Sequence, residues 1–198
     1  MRQKLDTIFC QMKIALSQIN PRTNKFEYNT ALIKEAFEKT DKDTLLVFPE
    51  LSLSGYPLYE LTAYDEVFIG SAKQMEELRT AQRDCIVGLP LMQEEKKYNA
   101  LAFVENGELK ALSTKRNLGN FDNGFAEGKG IKQIRYKGKT IAFGFLADLK
   151  DFAAASAKAD IVICLSNEAF EIGKQEKILQ YLQTMAATLA CPLAFLNR

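Results

Sequence analysis

Histidine is absent from all 198 residues. Its absence removes Ser-His-Asp and Cys-His catalysis, and every histidine-containing metal site, from what this chain can do. Paired cysteines are missing too. Cys10, Cys85, Cys164 and Cys191 are widely spaced, form no CxxC pair and each lie in an apolar run. They read as small buried hydrophobes in a reducing cytoplasm, not as disulfides or zinc ligands. Neither sign of charge dominates: 26 basic residues meet 25 acidic ones, for a net +1. No field therefore draws the chain to nucleic acid or to a membrane surface. No apolar run is long enough to span a bilayer. Residues 1–6 lead quickly into alternating, core-like sequence without the apolar region of a signal peptide, so a cytoplasmic protein is expected. Gly128-Lys129-Gly130 is too short for a phosphate loop and no Walker pattern occurs, so neither cofactor nor metal is expected.

What is present is an alternation of strand-like and helix-like segments, the pattern of an α/β domain. The length favours a single domain over residues 1–198 with room for a sizeable core. Residues 8–19 read as a strand region, clearest at 13–18 and broken by Asn20-Pro21. Helical spacing of Leu32, Ile33, Ala36 and Phe37 predicts a helix over 26–39. Residues 44–48 form an apolar run of the kind found in strands covered on both faces. A partly exposed helix over 64–83 and a short buried strand over 85–90 follow. Asn106-Gly107 between 99–104 and 109–114 is a strong hairpin signal, and Lys137-Gly138 joins 131–136 to 140–146 in the same manner. A short helix over 151–157, a strand over 161–165, a helix over 174–190 and a strand starting at 192–196 complete the order. No linker, repeat or low-complexity tract interrupts it.

The stretch Leu46-Val47-Phe48-Pro49-Glu50-Leu51-Ser52-Leu53-Ser54-Gly55-Tyr56-Pro57 carries the most information. An apolar run ends at a Pro-Glu step and opens into a loop, which places one carboxylate at the mouth of a buried strand. Burial there raises a carboxyl pKa and suits it to proton transfer. This run resembles the glutamate motif of the nitrilase (carbon–nitrogen hydrolase) superfamily, and is most similar to the glutaminase domain of glutamine-dependent NAD synthetases. The order of elements resembles that superfamily along nearly the whole chain. The resemblance implies an αββα sandwich of two mixed sheets that associates into dimers. It also implies further strands after the last one here, so a C-terminally truncated version of the fold is expected.

Amide hydrolysis in that family uses a thiolate nucleophile, a glutamate base and a lysine that stabilises the oxyanion. The resemblance assigns the base to Glu50 and the lysine to Lys115 in Thr114-Lys115-Arg116-Asn117-Leu118. The following loop is shorter than the family pattern: Gly119 replaces a proline, and Asn123 stands where the synthetase glutaminases tend to have Glu. The nucleophile strand reads Phe143-Gly144-Phe145-Leu146-Ala147-Asp148. Anchoring on Asp148 puts Leu146 at the cysteine position, and a one-residue slip puts Ala147 there. Neither can attack a carbonyl, and Leu146 is expected to fill the volume the carbonyl would occupy. Ser166-Asn167-Glu168 is expected at the site wall.

Three readings follow. One is a degenerate family member that binds a small amide ligand or a partner enzyme and hydrolyses nothing. Another is a working amidase or glutaminase, in which a different residue attacks. The third is a fragment of a longer NAD synthetase-like protein. A homo-oligomer is expected in each case.

Overall fold

Strands that are apolar at every position need cover on both faces, and the architecture supplies it. The computed structural model describes residues 12–154, 158–169 and 171–198. Cys10, the 8–11 part of the first predicted strand and the 155–157 end of the predicted 151–157 helix lie outside the described residues.

Among the described residues, nine strands form two mixed sheets. The first sheet holds β1 (Lys13–Leu16), β2 (Thr44–Val47), β3 (Cys85–Gln93), β4 (Lys96–Glu105) and β5 (Glu108–Thr114), in that spatial order. β1, β2 and β3 pair in parallel, and β3, β4 and β5 pair antiparallel. The second sheet runs β6 (Lys132–Tyr136), β7 (Lys139–Phe145), β8 (Ile161–Ser166), β9 (Leu193–Asn197), with β6–β7 antiparallel and the rest parallel. Helices α1 (Phe26–Glu38) and α2 (Asp65–Arg79) flank the first sheet, and α3 (Leu149–Ala154) and α4 (Lys174–Leu189) the second.

The period-2 alternation of strands sorts the side chains into three layers. Between the sheets, Leu45, Val47, Ile86, Leu101 and Phe103 meet Tyr136, Ile141, Phe143, Phe145, Ile163 and Leu165. On the outer face of the first sheet, Leu46, Phe48, Val87, Ala102 and Val104 pack beneath Ile33, Phe37, Met75 and Leu78 of the helices. On the outer face of the second, Ala142, Val162 and Cys164 pack beneath Leu149, Phe152 and Leu182. The result is the expected αββα sandwich. Each fully buried Leu, Ile or Phe contributes about 1.5–3 kcal/mol by leaving water, which makes the middle layer the main source of cohesion.

Two polar contacts tie the sheets and turns together inside this apolar frame. Tyr136 on β6 donates its hydroxyl to Asp84 Oδ2 at 2.8 Å, and Asp84 Oδ1 accepts from Asn106 N at 2.8 Å in the β4–β5 turn. Arg83 donates to the carbonyls of Phe37, Thr40 and Asp41, satisfying acceptors at the C-terminal end of α1.

The predicted elements all have counterparts, with shifted ends. The 64–83 helix is shorter, and a 3-10 turn over Tyr59–Ala63 precedes it. The strand predicted at 85–90 runs on to Gln93 and turns back through Glu94-Glu95, both left-handed at φ 51° and 62°. That hairpin carries no Gly, Asn or Asp signal, because its long antiparallel register with β4 overrides local preference.

Candidate active site

Glu50 lies just past β2, and three contacts hold its turn. Gly88 N donates to Ser52 Oγ at 3.1 Å, Ser52 Oγ in turn reaches Gly88 O at 3.2 Å, and Leu53 N donates to Gly88 O at 3.0 Å. A methyl group on Gly88 would stand 2.4 Å from Leu51 N and Pro49 O, so only glycine lets β3 approach this turn. From the other side, Asn167 Nδ2 donates to Glu50 O at 2.6 Å, tying the turn to the end of β8 in the second sheet.

The Glu50 carboxylate is 2 % exposed. Its Oε1 accepts from Lys115 Nζ at 2.9 Å and from Asn99 Nδ2 at 2.7 Å. Lys115 follows the last residue of β5, with its N–H on Asn99 O at 2.9 Å. A second carboxylate closes the cluster: Asp122 Oδ2 lies 2.9 Å from Lys115 Nζ, and Asp122 Oδ1 accepts from Asn99 Nδ2 at 3.1 Å. Gly119 N donates to Asp122 Oδ2 at 2.8 Å, which fixes the loop that carries it. Two carboxylates thus share one ammonium.

The electrostatics follow from that count. Burial pushes the Glu50 pKa up, Asp122 adds to the rise, and Lys115 and Asn99 oppose it. For Lys115, burial works against the charge, but Glu50 and Asp122 outweigh it and hold the ammonium above the usual lysine range. The cluster therefore keeps a firm cation beside a carboxyl whose pKa lies above its ordinary value. Lys115 carries three N–H donors and contacts both carboxylates, with the Phe145 ring centroid 5.6 Å from its Nζ.

A cavity of about 250 Å³ opens beside this cluster, walled by Glu50, Tyr56, Lys115, Asp122, Ser166 and Asn167 among others. Ser166 Oγ donates to Glu168 Oε1 at 3.2 Å, and Glu168 is itself paired with Lys174 at 2.9 Å. Asn167 is 9 % exposed, and its Oδ1 has no hydrogen-bond partner among the described residues. An acceptor of this kind, buried at a cavity wall, is costly unless something donates to it.

The structure brings Glu50 and Lys115 into direct contact, and places Ser166, Asn167 and Glu168 on the wall. Leu146 lies elsewhere than the sequence reading expects. It opens a 3-10 turn over Leu146–Asp148 at the end of β7. Strand alternation turns Phe145 inward, its ring centroid 5.6 Å from Lys115 Nζ, and sends Leu146 to the opposite face. There Leu146 is 8 % exposed and packs with Ala142, Leu149, Phe152, Val162, Cys164 and Leu182 beneath α4. It is not among the residues that line the cavity. The alternative position, Ala147, is exposed. Asp148, the anchor of the register, accepts from Arg116 N at 3.1 Å and Asn117 N at 2.8 Å, so the turn sits directly against the Lys115 segment. Among the described residues no cysteine lines the cavity. Burial, reinforced by Asp84 and Asp148 respectively, pushes the Cys85 and Cys164 thiols up to about 12.

Two members of the cluster escaped the sequence reading. Asn99 interrupts the apolar strand Asn-Ala-Leu-Ala-Phe-Val with an amide, and Asp122 is the only acid between Lys115 and Glu127. Each is a signal once the loop is known to fold back. Among the described residues no group of three or more Cys, Asp or Glu side chains is arranged to hold a metal ion, and no helix is long and apolar enough to cross a membrane.

Comparison with known proteins places this arrangement. The carbon-nitrogen hydrolase family model matches residues 13–137. The chain is similar to the glutamine-dependent NAD(+) synthetase of Aquifex aeolicus (strain VF5), 25% identical over 201 residues, covering 94% of this chain and 35% of that protein. The synthetase of Thermotoga maritima is likewise 25% identical over 205 residues, with the same shares covered. Among solved structures, the glutamine-dependent NAD+ synthetase of Acinetobacter baumannii in complex with adenosine diphosphate superposes with a TM-score of 0.85 at 24% identity, over 94% of this chain and 38% of that one. A carbon-nitrogen hydrolase superfamily protein of Xanthomonas campestris with an arsenic adduct in its active site gives 0.74 at 20% identity, over 94% and 76%. The chain spans about a third of the length of the curated synthetases it matches.

Proposed function

The chain belongs to the carbon–nitrogen hydrolase family, and on that footing we propose that it binds a small carboxamide without hydrolysing it. What supports the reading is that Leu146, the residue the sequence aligns with the nucleophile, packs beneath α4, and that among the described residues no cysteine lines the cavity beside the Glu50–Lys115 pair. Leucine has no lone pair with which to form an acyl intermediate. Removing a covalent nucleophile from a site that works as a unit typically costs about a millionfold in rate. What remains suits recognition. Lys115 lines the cavity as a donor, and among the described residues Asn167 Oδ1 lacks one. A primary amide offers both, a carbonyl oxygen to Lys115 and an N–H to Asn167. A carboxylate would instead meet Glu50 and Asp122. The glutaminase-like relatives make the side-chain amide of glutamine a natural ligand for trial.

A working amidase is the second reading, with Ser166 the hydroxyl that would attack. Its one carboxylate partner, Glu168, is occupied by Lys174, which weakens it as a base. The test is ammonia release from glutamine and simple amides by the purified chain, beside calorimetric binding of the same amides. Binding without turnover is expected. Turnover that disappears in Glu50→Ala or Ser166→Ala sinks the non-hydrolytic reading, and absence of any amide binding sinks recognition.

We further propose that the chain self-associates. α4 buries only Leu182 fully, while Leu179 is 56% exposed and Ile172, just before the helix, is 97% exposed. Exposed apolar side chains of this size on one side favour association. Light scattering at several concentrations should give a dimer or larger species, and monomer throughout counts against it.

A further inference from the structure

The polar cavity does not end at Asn167. It adjoins an outer compartment of about 300 Å³, walled by Pro57, Tyr59 and Arg198 together with Tyr56, Phe121, Asn167, Glu168 and Ala169, which both compartments share. Together the compartments fall within the range of about 300–1,000 Å³ usual for small-molecule sites. The outer one is aromatic. Phe121 stands edge-on to Tyr56 with centroids 6.2 Å apart, and edge-on to Tyr59 at 5.9 Å. Yet Phe121 remains 43% exposed and Tyr59 49%. Large rings held at a cavity mouth, and left half in water, gain by covering one another with a third ring.

The rim is also braced in a way a chance cluster is not. Thr62 Oγ1 lies 2.8 Å from Tyr59 O and 3.0 Å from Asn123 O, so one hydroxyl spans the turn that carries Tyr59 and the loop that carries Phe121. Gly124 sits so close that a methyl there would stand 2.1 Å from Thr62 Oγ1. The inner end of the same loop is fixed by Asp122 on Lys115. Arg198 donates to Tyr56 O at 2.8 Å on the far side. The rings and the amide-binding groups are thus parts of one rigid wall.

We propose that the occupant of this site is an aromatic primary carboxamide, its amide seated between Lys115 and Asn167 and its ring held by Tyr56, Tyr59 and Phe121. The inference rests on the carboxamide reading and adds the ligand's tail to it. The head is not anionic, since Glu50 and Asp122 together outnumber Lys115. A flat, apolar tail suits the rings of Tyr56, Tyr59 and Phe121 that wall the outer compartment.

The experiment measures affinity of the purified 198-residue chain for benzamide, cyclohexanecarboxamide, acetamide, glutamine and benzoate by calorimetry, with circular dichroism to verify the fold of each variant. Benzamide is expected to bind at least about tenfold more tightly than acetamide and more tightly than cyclohexanecarboxamide, as aromatic contact beyond simple burial requires. Benzoate is expected to be the weakest. Tyr59→Ala, outside the wall of the polar cavity, should remove most of the benzamide advantage and leave acetamide unchanged, while Tyr59→Phe should keep it. Benzamide no tighter than acetamide, glutamine tighter than benzamide, or a Tyr59→Ala variant that weakens every amide equally would each overturn the inference while amide recognition stands. Failure of all the amides to bind would overturn both readings together.

Discussion

Lys115 Nζ lies 2.9 Å from Glu50 Oε1, across 65 positions of sequence and inside a wall that leaves the carboxylate 2 % exposed. A pair this deep is held in place by its surroundings, since each ion loses its water and must be repaid by neighbours. Asn99 and Asp122 supply the remaining contacts, and the cluster behaves as one unit.

Lys115→Met should therefore be costly. It leaves Glu50 and Asp122 facing each other without a cation, sharing only Asn99 Nδ2. Breaking a buried pair by removing one partner typically costs about 3–5 kcal/mol. Urea titration at pH 8 should show a loss of that order. Adding Glu50→Gln to the same chain should recover part of it, because the leftover charge is removed. A loss below about 1 kcal/mol would show the pair to be solvated in solution.

The pH dependence has a definite sign. The folded-state pKa of Glu50 is raised above its ordinary value of 4.5. A folded state that holds its proton more tightly loses stability as pH rises from the unfolded pKa through the folded one. Glu50→Gln carries no such penalty. Its stability relative to the natural chain should thus improve from pH 4 to pH 8, with the change lying above pH 4.5. Parallel stability curves for the two chains would contradict the direction of the shift.

A further pair of variants separates the apolar and polar parts of the middle layer. Phe143 is fully buried beside Phe103, with centroids 6.3 Å apart. Phe143→Ala should cost about 3–5 kcal/mol through lost burial and the cavity left behind. Tyr136→Phe keeps the ring and removes only the hydroxyl bonded to Asp84 at 2.8 Å. It should cost about 1–3 kcal/mol, the penalty of leaving a buried acceptor unpaired. Chemical denaturation of both variants provides the comparison.

Periodicity alone was enough for most of the scaffold. The apolar run at Thr44–Val47, the helical stripe with Ile33 and Phe37, and the Asn106-Gly107 turn each satisfy a local rule, and the structure obeys all three. Local rules failed where long-range pairing took over. Glu94-Glu95 adopts left-handed geometry because nine registered pairs between β3 and β4 close that turn.

The site divides along the same line. Glu50 and Lys115 stand in recognisable motifs, so their types and positions were determined by the sequence itself. Their company was not. Asn99 is 49 positions from Glu50, Asp122 belongs to a loop with no local signal for folding back, and Asn167 arrives from the other sheet. The facing of Leu146 was equally out of reach, because one step along β7 decides whether a side chain meets Lys115 or the layer beneath α4. Hydrogen bonds between distant segments, and the alternation of a strand whose two faces are both apolar, leave no trace in neighbouring residues. Only the packed sheets choose among them.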